Sequence, residues 1–156
     1  MASRNAWAVL EPEVRALSEA YWRQWQNCFA NERQWAPMET QKMIDIGCEF
    51  LRNRFLDTSG RAWIDSIERS VAAAYTSGVA PMVLLSMINA SDRAAIQIIG
   101  VRVPPSAERL VHAETLLRLS ALEGDITVAI YNAYRDHSAQ VARDRLADEF
   151  RQGIAR

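Results

Sequence analysis

The chain has 156 residues, a formal net charge of −1, 49% hydrophobic residues and 24% charged residues, which suits one globular domain over residues 1–156. Because positive charge is not in excess, the sequence gives no electrostatic support for nucleic-acid binding. The longest apolar runs are far shorter than the ~20 residues of a membrane span and no signal peptide is recognisable, so we expect a cytoplasmic protein without a membrane span.

Proline residues mark the starts of the first two predicted helices. The first helix follows Pro12 and runs over about 12–29, because its apolar residues recur every three or four positions. A polar stretch at 31–35 predicts a corner, and Pro37 then begins a second helix. The Thr-Ser-Gly break at 58–60 ends this second helix.

Two further helices are bounded by residues that start and stop helices. The hydroxyls at 58–59 can cap a third helix over 60–78, and Gly78 can end it. A fourth helix begins with a proline and covers 81–100, and the Pro-Pro pair at 104–105 prevents it from continuing.

The last predicted helix is the longest. The pattern is helical from about 106 to 152, and Ser106 can cap its start. Such a helix would be about 70 Å long, whereas a domain of this size has a radius of gyration of about 15 Å. Its end must therefore leave the globular body or pair with another chain. The alternative is a helix that folds back on itself at Gly124.

No segment is convincing as a strand. The best candidate is the β-branched run IQIIGVRV at 96–103, but it ends a strong helical pattern. The predicted fold class is therefore all-α.

No catalytic constellation is recognisable in the sequence. Glycine is scarce and scattered, so there is no phosphate-binding loop. The histidines, His112 and His137, are 25 residues apart on one predicted helix. The cysteines, Cys28 and Cys48, make neither a disulfide framework nor a zinc motif. With no nucleophile and no acid–base pair in view, we expect a protein that is not an enzyme.

An ordered series of motifs runs through residues 43–100. Phe-Leu pairs at 50–51 and 55–56 lie on one helix, a short break follows, and the next helix ends in VAAAY at 71–75 before Gly78 and Pro81. This order and spacing resembles the middle of the globin-coupled sensor family. In that family, a globin domain precedes an output domain such as a chemotaxis transducer or a diguanylate cyclase. The resemblance implies a globin-like helical sandwich with a sensory function.

The resemblance also implies where a haem would be held. In the family, the helix that corresponds to 60–78 carries the proximal haem histidine, and that position, six residues before Pro81, is Tyr75 here. The distal tyrosine of the family lies on the first long helix, at a place that falls on Tyr21 or Trp22, and the flanking Arg23 favours Trp22. Both groups that would hold haem and its gas ligand are therefore replaced, and no cofactor is expected.

Three interpretations of Tyr75 stay open at this point. Haem is bound with Tyr75 as its phenolate metal ligand, or haem is absent and aromatic residues fill a pocket that can take another apolar ligand, or Tyr75 is an ordinary core tyrosine. The candidate pocket residues are Tyr75, Trp22, Tyr21, Phe50, Trp63 and Phe55.

The resemblance implies partners as well as a fold. The helices at 81–100 and 106–152 would form a homodimer face, and about 143–156 would begin a helical linker to a covalently attached output domain. The predicted function is a sensor or relay that passes a conformational change through the last helix. The alternatives are a haem-based oxygen or redox sensor and a ligand-free helical adaptor that binds another protein.

Overall fold

The structure is a computed structural model that describes residues 1–29 and 35–154, with side chains up to residue 146. All regular secondary structure in these residues is helical, which confirms the predicted all-α class. The elements in chain order are α1 (Ala2–Leu10), a 3₁₀ turn (Glu11–Glu13), α2 (Val14–Cys28), α3 (Pro37–Leu56), α4 (Arg61–Thr76), α5 (Pro81–Arg102) and α6 (Ala107–Ile154). Most of the predicted corner at 31–35, and the last two residues of the predicted linker, lie outside the described residues.

Helix α1 is absent from the sequence prediction, which begins the first helix at 12. The structure instead places Pro12 in the 3₁₀ turn between α1 and α2. Proline tolerates this first-turn position because it has no N–H to donate. Helix α1 belongs to the core, since Ala6, Trp7 and Leu10 are buried and the Trp7 ring lies 5.7 Å from the Phe55 ring of α3.

The start of α4 differs from the prediction. No side chain caps this helix, and Gly60, rather than a hydroxyl at 58–59, stands at the capping position. The N–H of Gly60 donates to the carbonyl of Asp57 at 3.0 Å. A Cβ added to Gly60 would lie 1.7 Å from Asp57 Oδ2, so a larger residue here would displace the Asp57 carboxylate.

Two other predicted helix ends are confirmed. Gly78 has a φ of 71°, and the N–H of Val79 after it donates to the carbonyl of Ala74 at 2.8 Å, which closes α4. At the start of α6, Ser106 Oγ accepts a hydrogen bond from the N–H of Arg109 at 3.4 Å.

Helix α6 is continuous through Gly124, so the fold-back alternative is not adopted. An added Cβ at Gly124 would meet only the Leu85 side chain, at an ordinary contact distance of 3.5 Å. Every side chain from 135 to 146 is exposed. The distal part of α6 therefore extends beyond the packed helices, as the length argument predicts.

The buried residues form two clusters that share contacts with Phe50. One cluster joins α1, α2, α3, α5 and the start of α6, and it contains Leu17, Phe55 and Leu116. The other cluster surrounds α4 and contains Trp63 and Met87. Helix α5 packs mainly against α2 and α6 and is the central helix of the fold.

Within the described residues, α5 is also the one helix long and apolar enough to cross a membrane, by length and composition only. Its best 18-residue window has a mean hydropathy of 1.2, and 39% of that window is buried in the fold. The core helix of a soluble protein passes the same test, so this feature is weak evidence for a membrane span.

Candidate functional site

A cavity of about 540 Å³ lies among α2, α3, α4, α5 and α6. This volume is within the range of roughly 300–1,000 Å³ that is typical of small-molecule sites. Most of its wall is aromatic or aliphatic, as in sites that bind apolar ligands. Representative wall residues are Trp22, Trp25, Phe50, Ile67, Leu84 and Met87.

The cavity reaches the surface between α3 and α4. Ile46 and Glu49 of α3 line the cavity and are exposed. Arg69 and Ala73 of α4 also line it and are also exposed. These residues form the mouth of the cavity. A ligand can therefore enter between α3 and α4 without separating the central helices.

The space inside the cavity arises from unequal side-chain sizes on opposite walls. Helix α2 contributes the large rings of Trp22 and Trp25, whereas α4 contributes several small residues. Helices α2 and α3 approach closely at Gly47, where an added Cβ would lie 2.1 Å from Ser18 Oγ. The small α4 residues that line the cavity are Ser66, Ser70, Ala73, Ala74 and Ser77.

The structure brings together three of the six predicted pocket residues. Tyr21, Trp22 and Phe50 line the cavity. Trp63 and Phe55 do not line it, and both are packed in the core at 0% and 1% exposed respectively. Apolar periodicity identifies both as core residues, but it does not distinguish a side chain packed in the core from one that lines a cavity.

Tyr75 lies away from the cavity, at the contact between α4 and α6. It is half-buried, and its ring centroid lies 5.4 Å from that of Tyr131 and 5.9 Å from that of Tyr134. The cavity-lining residues therefore do not fit a haem held through Tyr75. His112 is buried elsewhere on α6 and His137 is exposed, and neither lines the cavity.

A buried ionic cluster lies beside the cavity and joins α3, α5 and α6. Arg54 of α3 is 2% exposed. Asp92 of α5 pairs with two of its nitrogens. Nη1 lies 2.8 Å from Asp92 Oδ1, and Nη2 lies 3.4 Å from Asp92 Oδ2. Its Nε lies 2.7 Å from Oε2 of Glu123 on α6. The guanidinium therefore has both carboxylates as partners, as a buried charge requires.

Burial shifts the pKa values of the cluster. It raises the pKa of Glu123 to about 7; the charge of Arg54 opposes this rise and the charge of Asp92 adds to it. Burial, followed by the charge of Glu123, raises the pKa of Tyr21 well above its usual value. Burial alone would lower the pKa of Arg54, but Glu123 and Asp92 raise it, so the guanidinium stays charged.

Glu123 connects the ionic cluster to the cavity, because it belongs to both. Thr127, one turn further along α6, also lines the cavity and is 3% exposed. Two residues of the long helix therefore form part of the cavity wall. A ligand in the cavity would contact α6 directly.

The sequence prediction misses Arg54, Asp92, Glu123 and Thr127. A signal was present for two of them, since a charge on the apolar face of a predicted helix is unusual. Arg54 comes three residues after buried Leu51 on its helix, and Glu123 comes four residues after buried Leu119. Their pairing is not readable from the sequence, because 69 positions separate them.

Comparison of the chain with family models, curated proteins and solved structures finds no match. The resemblance to the globin-coupled sensor family therefore stays a prediction. The geometry of the cavity, the ionic cluster and α6 is the basis for any functional conclusion.

We predict that Glu123→Gln changes how stability depends on pH. The pKa of Glu123 is higher in the folded state than in the unfolded chain, so its stabilising contribution is present below the unfolded value of 4.5 and is lost as the pH rises through about 7. The variant lacks this titration. Between pH 4 and pH 8, its free energy of unfolding should therefore rise relative to that of the wild type by on the order of 3 kcal/mol.

Urea unfolding at a series of pH values, followed by circular dichroism, measures this difference. Glu114→Gln is the matched control, because Glu114 is an exposed carboxylate of α6 that pairs with Arg118 at 2.6 Å. The control should run parallel to the wild type. A Glu123→Gln curve that also runs parallel to the wild type would contradict the assigned titration.

Proposed function

We propose that the chain is a non-catalytic signal-transduction domain of the globin-coupled sensor type that binds a small apolar ligand without haem. The ligand occupies the cavity, and α6 passes the resulting change to an output domain. One observation is the main support: Glu123 and Thr127 on the cavity wall belong to the same helix whose residues 135–146 extend beyond the packed helices.

The ionic cluster gives this relay a physical mechanism. Glu123 of α6 is held to α3 by its contact with Arg54 at 2.7 Å. A ligand that contacts Glu123 competes with this pairing or reinforces it. The ligand then favours one position of α6 over another. The ratio of the two positions shifts according to how much more tightly the ligand binds one than the other.

The cavity and the position of Tyr75 distinguish between the alternatives from the sequence. A ligand-free adaptor has no need of a 540 Å³ apolar cavity that opens to the surface. A haem sensor that uses Tyr75 needs this residue on the cavity wall, and it packs on tyrosines of α6 instead. The cavity favours a ligand-binding domain over an adaptor, and the packing of Tyr75 favours a ligand other than haem.

The proposed domain acts in the cytoplasm as part of a longer signalling protein. The stretch at about 143–156 leads into the output domain, which in the resembling family is a chemotaxis transducer or a diguanylate cyclase. The backbone of this stretch is helical up to Ile154.

We further propose that two copies of the chain pair through α5 and α6. Four exposed apolar residues of α6 lie on one face, opposite the buried face, because their spacings of 7, 11 and 18 residues are close to whole helical turns. This exposed stripe consists of Leu110, Leu117, Val128 and Leu146. A stripe of this kind on a projecting helix suits a two-fold contact with the same stripe of a second copy.

We predict that the apolar dye N-phenyl-1-naphthylamine binds in the cavity and that Ala73→Phe weakens its binding at least tenfold. Ala73 is exposed and lines the mouth between α3 and α4, so a phenyl ring there obstructs entry without disturbing the core. The rise of dye fluorescence on titration measures binding. Ala62→Phe is the matched control on the same helix, because Ala62 is also exposed but does not line the cavity.

The control variant should bind the dye as the wild type does. No fluorescence rise with the wild type, or equal binding by both variants, would refute the cavity as the ligand site.

We predict that Leu117→Glu converts the dimer to a monomer, because a carboxylate at 117 would be buried without a partner within the stripe. Leu122→Glu is the control, since Leu122 is an exposed leucine of α6 that faces a different direction. Light scattering coupled to size-exclusion chromatography measures the mass. A wild-type monomer, or a dimer that survives Leu117→Glu, would show that the stripe is not the interface.

A further inference from the structure

One part of the cavity wall is polar, and its chemistry restricts the ligand class. This inference rests on the proposed function, because it concerns a ligand in the same cavity. Glu123 is 3% exposed and lines the cavity, and one of its oxygens, Oε2, is held by Arg54. The other oxygen, Oε1, accepts no hydrogen bond from any described residue, so it is free to accept one from a ligand.

Two hydrogen-bond donors, the Tyr21 hydroxyl and Trp22 Nε1, belong to α2 residues that line the same cavity. The ring centroids of Tyr21 and Trp22 are 5.1 Å apart, and the charge of Glu123 acts on the Tyr21 hydroxyl. Burial raises the pKa of Tyr21 further above the neutral range, so its hydroxyl is a donor at neutral pH. No described residue pairs with it, and the Nε1 of Trp22 is buried without a protein partner. A buried polar group without a partner is unfavourable, so a ligand that pairs with Trp22 Nε1 gains affinity.

The combination of one acceptor and two donors selects among ligand head groups. A carboxylate can accept from Tyr21 and Trp22, but it is repelled by Glu123 and finds no unmatched positive charge, because Arg54 already faces two carboxylates. An ammonium group can donate to Glu123, but it has no lone pair for the two donors and loses its hydration. A hydroxyl group both donates and accepts, and it carries no charge.

We propose that the cavity binds a neutral amphiphile of the alcohol class. Its apolar body lies against the aromatic and aliphatic wall, and its hydroxyl group donates to Oε1 of Glu123 and accepts from Tyr21 or Trp22. The ligand therefore forms a hydrogen bond to the residue that joins α6 to α3.

Four eight-carbon probes with different head groups test this proposal: 1-octanol, octanoate, octylammonium and octane. Each probe competes with N-phenyl-1-naphthylamine for the intact chain at pH 8, and loss of dye fluorescence gives its affinity. We expect 1-octanol to bind at least tenfold more tightly than each of the other three probes. Glu123→Gln should weaken 1-octanol about tenfold and leave octane unchanged, because a charged acceptor forms a stronger hydrogen bond than an amide.

Two further variants keep the test decisive. Tyr21→Phe removes one donor without removing a charge and should also weaken 1-octanol while sparing octane. Glu114→Gln, on the exposed side of α6, should behave as the wild type.

The outcomes separate this inference from the proposed function. Tightest binding by octanoate or octylammonium, or equal binding by 1-octanol and octane, would overturn the hydroxyl head group and leave a ligand-binding cavity. Dye binding that none of the probes displaces would also overturn the alcohol class. Failure of the dye itself to bind would overturn the cavity site and this inference together.

Discussion

The buried guanidinium of Arg54 fixes how α3, α5 and α6 are arranged. A charge that is 2% exposed is tolerated only when it is paired, and here the carboxylates of Asp92 and Glu123 come from two other helices. Such a cluster adds little net stability compared with an apolar core, but loss of one partner destabilises a fold by ~3–5 kcal/mol. The three helices must therefore meet at this point, and a rotation of α6 that removed Glu123 would leave Arg54 with a single partner.

This constraint determines what the cavity can do. Glu123 is held by Arg54 on one side and lines the cavity on the other, so the site and the helix packing share one side chain. The same helix continues to residues 135–146, whose side chains are all exposed. A change at Glu123 is therefore made on a rigid element that reaches beyond the packed helices, where a second copy or an output domain can detect it.

The sequence predicts the helices well where the chain contains strong local signals. Proline at the starts of α3 and α5 and the positive φ of Gly78 depend on neighbouring residues alone, so their positions are readable. Helix α1 is short and ends at Leu10, and Pro12 directly after it reads as the start of the first helix, so the sequence pattern does not reveal α1. The cavity is not readable, because whether Tyr75 faces α3 or α6 depends on the rotation of α4 in the packed fold. The pairing of Arg54 with Glu123 likewise depends on contacts far apart in the sequence.

The central claim is that a ligand in the cavity touches α6 itself. Isotope-filtered nuclear Overhauser spectroscopy on the methyl-labelled chain with bound N-phenyl-1-naphthylamine tests it directly. The proposal predicts cross-peaks from the dye rings to the methyl groups of Thr127 on α6 and of Leu84 and Met87 on α5. Cross-peaks to the exposed leucines of α6 alone, with none to Thr127, would contradict it.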